Sequence, residues 1–332
     1  MTTESVHRIV EQGLFPGPGA GATLLETHIS WVILTPEFAF KIKKPLRFDF
    51  LDFSSLAQRA HCCHEELRLN RRLAPEMYLR VLPIGPGGIG DDSGPALDYA
   101  LQMRRMDNDF EMDKRLKTNA VTTADMECLA FLLATFHRQH RLRDLPPYDP
   151  AEDAADFADL FHFEADLADV ATPGQAALLK TWARQVPQFL QRHQQRLHAR
   201  QQAGFWVDGH GDLHSRNIFL PPNTRPVVFD CIEFSPHFRR LDVLNELAFL
   251  AMDLDFYGHG ALADHFLKAY QRHWACFENQ EDWLIFQYFK AYRANVRLKV
   301  ALLELRQHPS PTLRQTALAY WALLRRYADV VG

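Results

Sequence analysis

The stretch Gly209-His210-Gly211-Asp212-Leu213-His214-Ser215-Arg216-Asn217-Ile218-Phe219, followed by Val227-Val228-Phe229-Asp230, decides how the rest of the chain is read. An apolar approach ends at Gly209, and two glycines permit a tight, non-helical loop. Asp212 sits in that loop, and Asn217 follows five residues later. Ile218-Phe219-Leu220 reads as a short strand, Pro221 to Pro226 is dense in turn residues, and Val227-Val228-Phe229 returns to deliver Asp230. A hairpin carrying Asp, then Asn, then Asp suits phosphoryl transfer. One carboxylate can orient an acceptor hydroxyl, while the amide and the second carboxylate hold magnesium on ATP phosphates. Two blander readings are weaker. His210 and His214 would suggest a metal pair only on a helix, which Gly209 and Gly211 argue against, and no Cys or third His lies nearby in the loop. A loop-capping role for Asp212 would not require Asn217 and Asp230 at matching offsets.

The run His210-Gly211-Asp212-Leu213-His214, then Asn217-Ile218, resembles the catalytic loop of the aminoglycoside phosphotransferase and choline kinase group. Phe229-Asp230-Cys231-Ile232-Glu233-Phe234 stands where that group has its magnesium-binding Asp. The wording is similar to a bacterial branch often fused to a P-loop ATPase domain. No G-x-x-x-x-G-K-[ST] occurs here, so that second domain is expected to be absent. The resemblance runs from the strand lysines near residue 41 to the helix after Asp242. It implies a bilobal, protein-kinase-like α+β fold, with residues 1–104 as a small sheet-containing N-lobe and 105–332 as a mainly helical C-lobe. It also implies ATP and Mg²⁺ as cofactors, Asp212, His210 and Asn217 as catalytic-loop residues, and Asn217 with Asp230 as metal ligands.

A chain of 332 residues can bury sizeable cores, and 47% hydrophobic with 23% charged content is ordinary for a globular protein. A formal net charge of -4 gives no global case for nucleic acid or an anionic membrane surface as partner. Five cysteines without C-x-x-C spacing fit reduced thiols better than a disulfide framework. With no apolar signal core and no long apolar run, the expectation is a cytoplasmic protein.

Along the chain, residues 4–12 read as a helix, and Gly13 to Ala22 as a connector. Its Gly17, Gly19 and Gly21 do not form a protein-kinase glycine-rich pattern. Thr27 to Leu34 and Phe38 to Lys43 read as a hairpin. Alternation puts Phe38, Phe40 and Ile42 on one face and Ala39, Lys41 and Lys43 on the other. The resemblance implies that one strand lysine contacts the nucleotide phosphates: Lys41, with Lys43 as rival. The helical stretch from Ser54 offers Glu66 as the lysine's partner, or Glu65, since adjacent helix positions face about 100° apart. Strands are expected at Tyr78–Ile84 and Leu97–Met103, then a hinge at Met103-Arg104-Arg105-Met106 whose backbone meets the adenine edge while a Met side chain covers the ring.

Beyond the hinge, strands are expected to stop until the catalytic hairpin. Helices are expected over 123–140, 151–170, 172–202, 243–256, 262–277, 282–306 and 312–330, and His137 reads as a core histidine. The resemblance makes Phe161, His162, Phe163 and Glu164 candidates for the acceptor pocket, and Asp242 the brace of the catalytic loop. Glu233, Arg239, Arg240, Asp253, Arg293 and Arg297 are further candidates to meet the acceptor. Arg293 and Arg297 share a helical face with no acid three or four residues away. If these arginines face the cleft, the acceptor is neutral or anionic, a small molecule with a hydroxyl and not an aminoglycoside. Asp253 and Asp255 keep a cationic substrate open. The alternatives are a protein Ser/Thr kinase, against which stand Gly211 in place of Arg and no D-F-G or A-P-E, and a non-catalytic ATP-binding regulator.

Overall fold

The computed structural model describes residues 1–18, 21–48 and 51–329. Gly19 of the connector and Val330, the expected end of the last helix, lie outside the described residues. In chain order come α1 (Thr3–Glu11), β1 (Thr23–Glu26), β2 (Ser30–Leu34), β3 (Phe38–Lys43), β4 (Arg47–Phe48) and β5 (Leu51–Asp52). They are followed by α2 (Leu56–Asn70), β6 (Tyr78–Gly85), β7 (Gly88–Ile89), β8 (Asp98–Arg104), α3 (Met112–Lys117) and α4 (Thr123–Gln139). Next are α5 (Pro150–Ala158), α6 (Glu164–Val170), α7 (Pro173–Ala176), α8 (Leu178–Gln202) and β9 (Trp206–Asp208). The chain then forms β10 (Ile218–Phe219), β11 (Val227–Val228), α9 (Pro236–Arg239), β12 (Arg240–Asp242) and α10 (Val243–Phe256). It ends with α11 (Gly260–His273), α12 (Gln280–Gln307) and α13 (Pro311–Ala328).

These elements form two compact units, Met1–Arg115 with Arg216–Arg239, and Leu116–Ser215 with Arg240 onward. The expected single break after residue 104 is therefore corrected, because the β10–β11 hairpin belongs with the sheet. Phe219 bridges Glu111, the Leu220 N–H donates to the Phe110 carbonyl at 2.8 Å, and the Phe219 and Phe229 rings stack at 4.9 Å. Phe219 is buried with Ala39, Tyr78, Leu101 and Met103. Leaving those rings in water would forfeit about 1.5–3 kcal/mol for each fully buried side chain.

The first unit is organised by an antiparallel sheet of order β1-β2-β3-β8-β6-β7. In β3 the expected alternation holds. Phe40 and Ile42 enter a core with Val6 and Ile9 of α1, Trp31, Ile33 and Ala100, while Ala39 enters the opposite layer. Strand β1 is exposed at three of its four positions and lacks alternation, so nothing in its sequence announces it. Its pairing with β2 is what defines it. Helix α2 starts at a capping box in which Ser55 and Gln58 satisfy each other's main-chain donors. Its C-terminal half buries Glu66 and Asn70.

The second unit is mainly helical. Residues Val243 to Leu254 of α10 are all buried, as a helix apolar on nearly every side must be. Two expectations are corrected here. Strands do not stop before the catalytic hairpin, since β9 pairs with β12 in the register Asp208↔Arg240, Val207↔Leu241, Trp206↔Asp242. Residues 151–170 are not one helix, because a 3-10 turn at Asp159–Phe163 separates α5 from α6. Among the described residues no helix is long and apolar enough to cross a membrane. The architecture is the expected protein-kinase-like bilobal α+β fold.

Candidate active site

Two clusters carry the candidate residues, one in each unit. In the first unit β3 presents Lys41 and Lys43 from one face, and α2 presents Glu66. The Lys41 ammonium donates to Glu66 Oε1 at 2.8 Å and to Asp230 Oδ1 at 2.7 Å. Lys43 donates to Glu66 Oε2 at 2.6 Å and to Glu233. The alternative Glu65 points outward and pairs with Arg68 at 2.6 Å. Burial works against the charge on Lys41, but Asp230, Glu66 and Glu233 hold it well above the usual lysine range. Burial likewise pushes Glu66 up, and Lys41 and Lys43 overcome it to hold the carboxyl below its ordinary value.

Asp230 adopts a left-handed conformation (φ 63°) unusual for a residue with a side chain. Three contacts hold that turn. The Asp230 N–H donates to the Tyr78 hydroxyl at 3.1 Å, the Cys231 N–H to Asn70 Oδ1 at 2.9 Å, and the Phe229 N–H to the Asn217 carbonyl at 3.0 Å. The last bond continues the Ile218↔Val228 register and brings Asn217 to the rung beside Asp230. A carboxylate and an amide supply the hard oxygens magnesium takes, with phosphate and water completing its shell. The Asp230 carboxylate already accepts a cation, the Lys41 ammonium, and its side chain is 43% exposed. This donor set fits Mg²⁺.

In the second unit β9 leads into the loop Gly209–Ser215, where Gly211 takes φ 84°. The Asp212 carboxylate lies 3.3 Å from His214 Nε2, and its N–H donates to His210 Nδ1 at 3.2 Å. Burial raises the Asp212 carboxyl, but His214, then Arg297 and His210, outweigh it and hold the group well below the usual carboxylate range. The loop is braced by α10. Glu246, fully buried, accepts the N–H of His210 at 2.5 Å and of Gly211 at 2.8 Å, and Asp253 accepts the N–H of Ser215 at 2.8 Å. Burial pushes Glu246 up, yet His137 and His210 hold it at about 2.

Several expectations change here. The loop brace is Glu246 and not Asp242, which caps α10 through the Leu244 N–H and binds Arg200 at 2.7 and 2.8 Å. Arg293 does not wall an anion pocket. It is buried, donating to Asn245 Oδ1 at 2.7 Å and to the Gly211 carbonyl at 3.0 Å beneath the Phe249 ring. Arg297 donates to the Tyr320 hydroxyl at 3.3 Å and is one of the cations that lower Asp212, so it stays beside the catalytic loop. Arg239 is buried and Arg240 lies exposed on β12. Asp253 braces the loop, Asp255 is held by Lys290, Arg326 and Tyr327, and Glu233 binds Lys43. At the expected hinge Met103 lies inside the sheet between Ala39 and Tyr78. The N–H groups of Arg104 and Arg105 donate to the Met77 and Glu37 carbonyls, so neither is available to adenine. Phe161 is half-buried, His162 is exposed, Phe163 lies under Arg306, and Glu164 pairs with Lys180 at 2.9 Å. His137 is a core residue bonded to the Tyr270 hydroxyl at 2.8 Å.

Sequence reasoning missed Glu246, Tyr78 and Asn70. Asn70 had a legible signal, lying one helical turn after Glu66 and hence on its face. Glu246 had one too: an acid inside an otherwise apolar helix needs a buried partner.

No family model matches the chain. Uncharacterised proteins of Mycobacterium tuberculosis and Mycobacterium bovis are 32% identical over 281 residues, covering 83% of this chain and 53% of theirs. The chain spans about half the length of these curated relatives. Among solved structures, a choline/ethanolamine kinase family protein of Mesorhizobium loti superposes with a TM-score of 0.55 at 15% identity, covering 99% of this chain and 95% of its own. Choline kinase of Cryptosporidium parvum gives 0.57 at 12%, covering 99% and 96%. Aminoglycoside 2'-phosphotransferase-IIIa, in its GDP complex, gives 0.55 at 13%, covering 98% of each chain. The fold that the catalytic-loop motif implied, that of the choline kinases and aminoglycoside phosphotransferases, is the fold of this chain.

Proposed function

We propose that the chain is an ATP- and Mg²⁺-dependent phosphotransferase that moves the γ-phosphoryl group to a hydroxyl of a small molecule. The observation that carries this reading is the Lys41 ammonium held between Glu66 and Asp230. It joins a phosphate-binding cation, the acid that aims it and a candidate metal carboxylate. The choline kinases and aminoglycoside phosphotransferases that share the fold support it. Asn217 and Asp230 would hold the metal, whose chemistry is to neutralise charge on the phosphates. Lys41, aimed by Glu66, would take the phosphate oxygens. Asp212 would orient the acceptor hydroxyl. Held below the usual carboxylate range, it is a weak base, so its work is to fix the hydroxyl's direction and to receive the proton late.

The arginine argument against a cationic acceptor loses its main support once Arg293 is engaged with Asn245 and Gly211. Thermal unfolding with and without Mg-ATP, in the wild type and in Asp230→Ala, tests the nucleotide half of the proposal. Ligand at 100 times its Kd adds about 2.7 kcal/mol to the native state. A shift in the wild type that Asp230→Ala loses supports the reading, and no shift in the wild type refutes it. Turnover of a panel of hydroxylated metabolites, aminoglycosides included, then reads the acceptor. Label entering protein instead of small molecules would favour a protein kinase.

A further inference from the structure

The first unit contains more charge than a single lysine–glutamate pair requires. Asp230, Lys41, Glu66, Lys43 and Glu233 form an alternating row in which each neighbouring pair is joined by a direct bond. The two lysines are not equivalent. The Lys41 side chain keeps 14% of its surface, whereas Lys43 keeps 1% and has the Phe53 ring 4.7 Å away on another side. Lys43 is thereby closed to any ligand, and Glu233, at 5%, is nearly so. Glu233 is not placed to meet an acceptor.

A buried ammonium needs a counter-charge of its own. Glu66 has one charge and two oxygens, and it gives one oxygen to each lysine. Without Glu233 the two lysines would compete for Glu66. The loop bearing Asp230 and Glu233 is also tied to α2, since Asn70 takes the Cys231 N–H and donates to the Glu66 carbonyl at 3.0 Å. We infer that Glu233 is a positioning residue for the nucleotide. By neutralising Lys43 it fixes Glu66 Oε2, so that Oε1 keeps Lys41 aimed when the metal takes over Asp230. This rests on the phosphotransferase reading above.

The test compares wild type, Glu233→Gln, Lys43→Met and the double variant. Affinities for Mg-ATP and for adenosine are read by titration calorimetry, and thermal midpoints show that each variant is folded. Glu233→Gln is nearly isosteric and remains informative if Lys43→Met does not fold. Each single change is expected to raise the Kd for Mg-ATP about 10-fold, and the double change about as much, because one network is broken once. The Kd for adenosine, which offers Lys41 no phosphate, should stay constant. Wild-type affinity for Mg-ATP in Glu233→Gln would overturn the inference. So would an equal loss for adenosine, or losses that multiply to about 100-fold. A wild type that binds no Mg-ATP overturns the phosphotransferase reading and this inference with it, a failure visible before any variant is made.

Discussion

Glu246→Gln separates a brace from a bystander. Both carboxylate oxygens of Glu246 accept main-chain N–H groups of the catalytic loop, from His210 and from Gly211, in a fully buried setting. Glutamine keeps one oxygen for one of these donors and turns an NH₂ toward the other. A charge-assisted bond of about 1.5–3 kcal/mol is lost, and the stranded donor adds about 1–3 kcal/mol. The carboxyl's lowered value, reached against burial and set first by His137 and then by His210, shows that the native state favours the charged form that glutamine lacks. The variant should therefore lose about 3 kcal/mol, which for a unit of this size lowers the midpoint by about 6–12 °C. Hydrogen exchange at His210 and Gly211 should accelerate far more than exchange in the sheet of the first unit. A midpoint within a degree of wild type, with loop exchange unchanged, would refute the reasoning.

The same group sets an acid limit. Because its folded value is depressed, the Glu246 contribution is complete above about pH 4.5 and declines as pH falls toward about 2. Wild type should show a larger midpoint loss over that interval than Glu246→Gln, in which Glu66 and Asp212 still titrate, measured by unfolding at fixed ionic strength. Asp212→Asn should abolish turnover while leaving Mg-ATP binding within about 2-fold, the pattern of a group that acts on the acceptor. With Asp212 held below the carboxylate range, wild-type kcat should show no acid limb from this group above about pH 4. Arg293→Met strands the Asn245 and Gly211 acceptors and should cost about 2–4 kcal/mol in thermal or urea unfolding. An Arg293-dependent stabilisation by inorganic phosphate would restore the discarded anion-wall reading.

What the sequence disclosed, and what it hid, follows from how each residue acts. Lys41, Asn217 and Asp230 were marked by strand alternation and the hairpin offset, and a glutamate partner on α2 came with the resemblance. The choice between Glu65 and Glu66 was not local. It turns on whether an acid meets Arg68 at the surface or the two lysines of β3 inside, and only the packed sheet decides that. Arg293 was misread for the same reason. A guanidinium with no acid one turn away can face a ligand, or it can hold a carbonyl and an amide from distant segments, as Arg293 does. The shift of the brace from Asp242 to Glu246 has a physical cause as well. Asp242 is the first residue before α10, where capping the Leu244 N–H and pairing with the buried Arg200 occupy both its oxygens. An acid one turn inside the helix is then the one left to take the loop's donors. Exchanging the roles of the two acids would require Arg200→Met as well as a change at Glu246. The single change Asp242→Asn should therefore destabilise the Arg200 region while leaving exchange at His210 and Gly211 nearly as slow as in wild type.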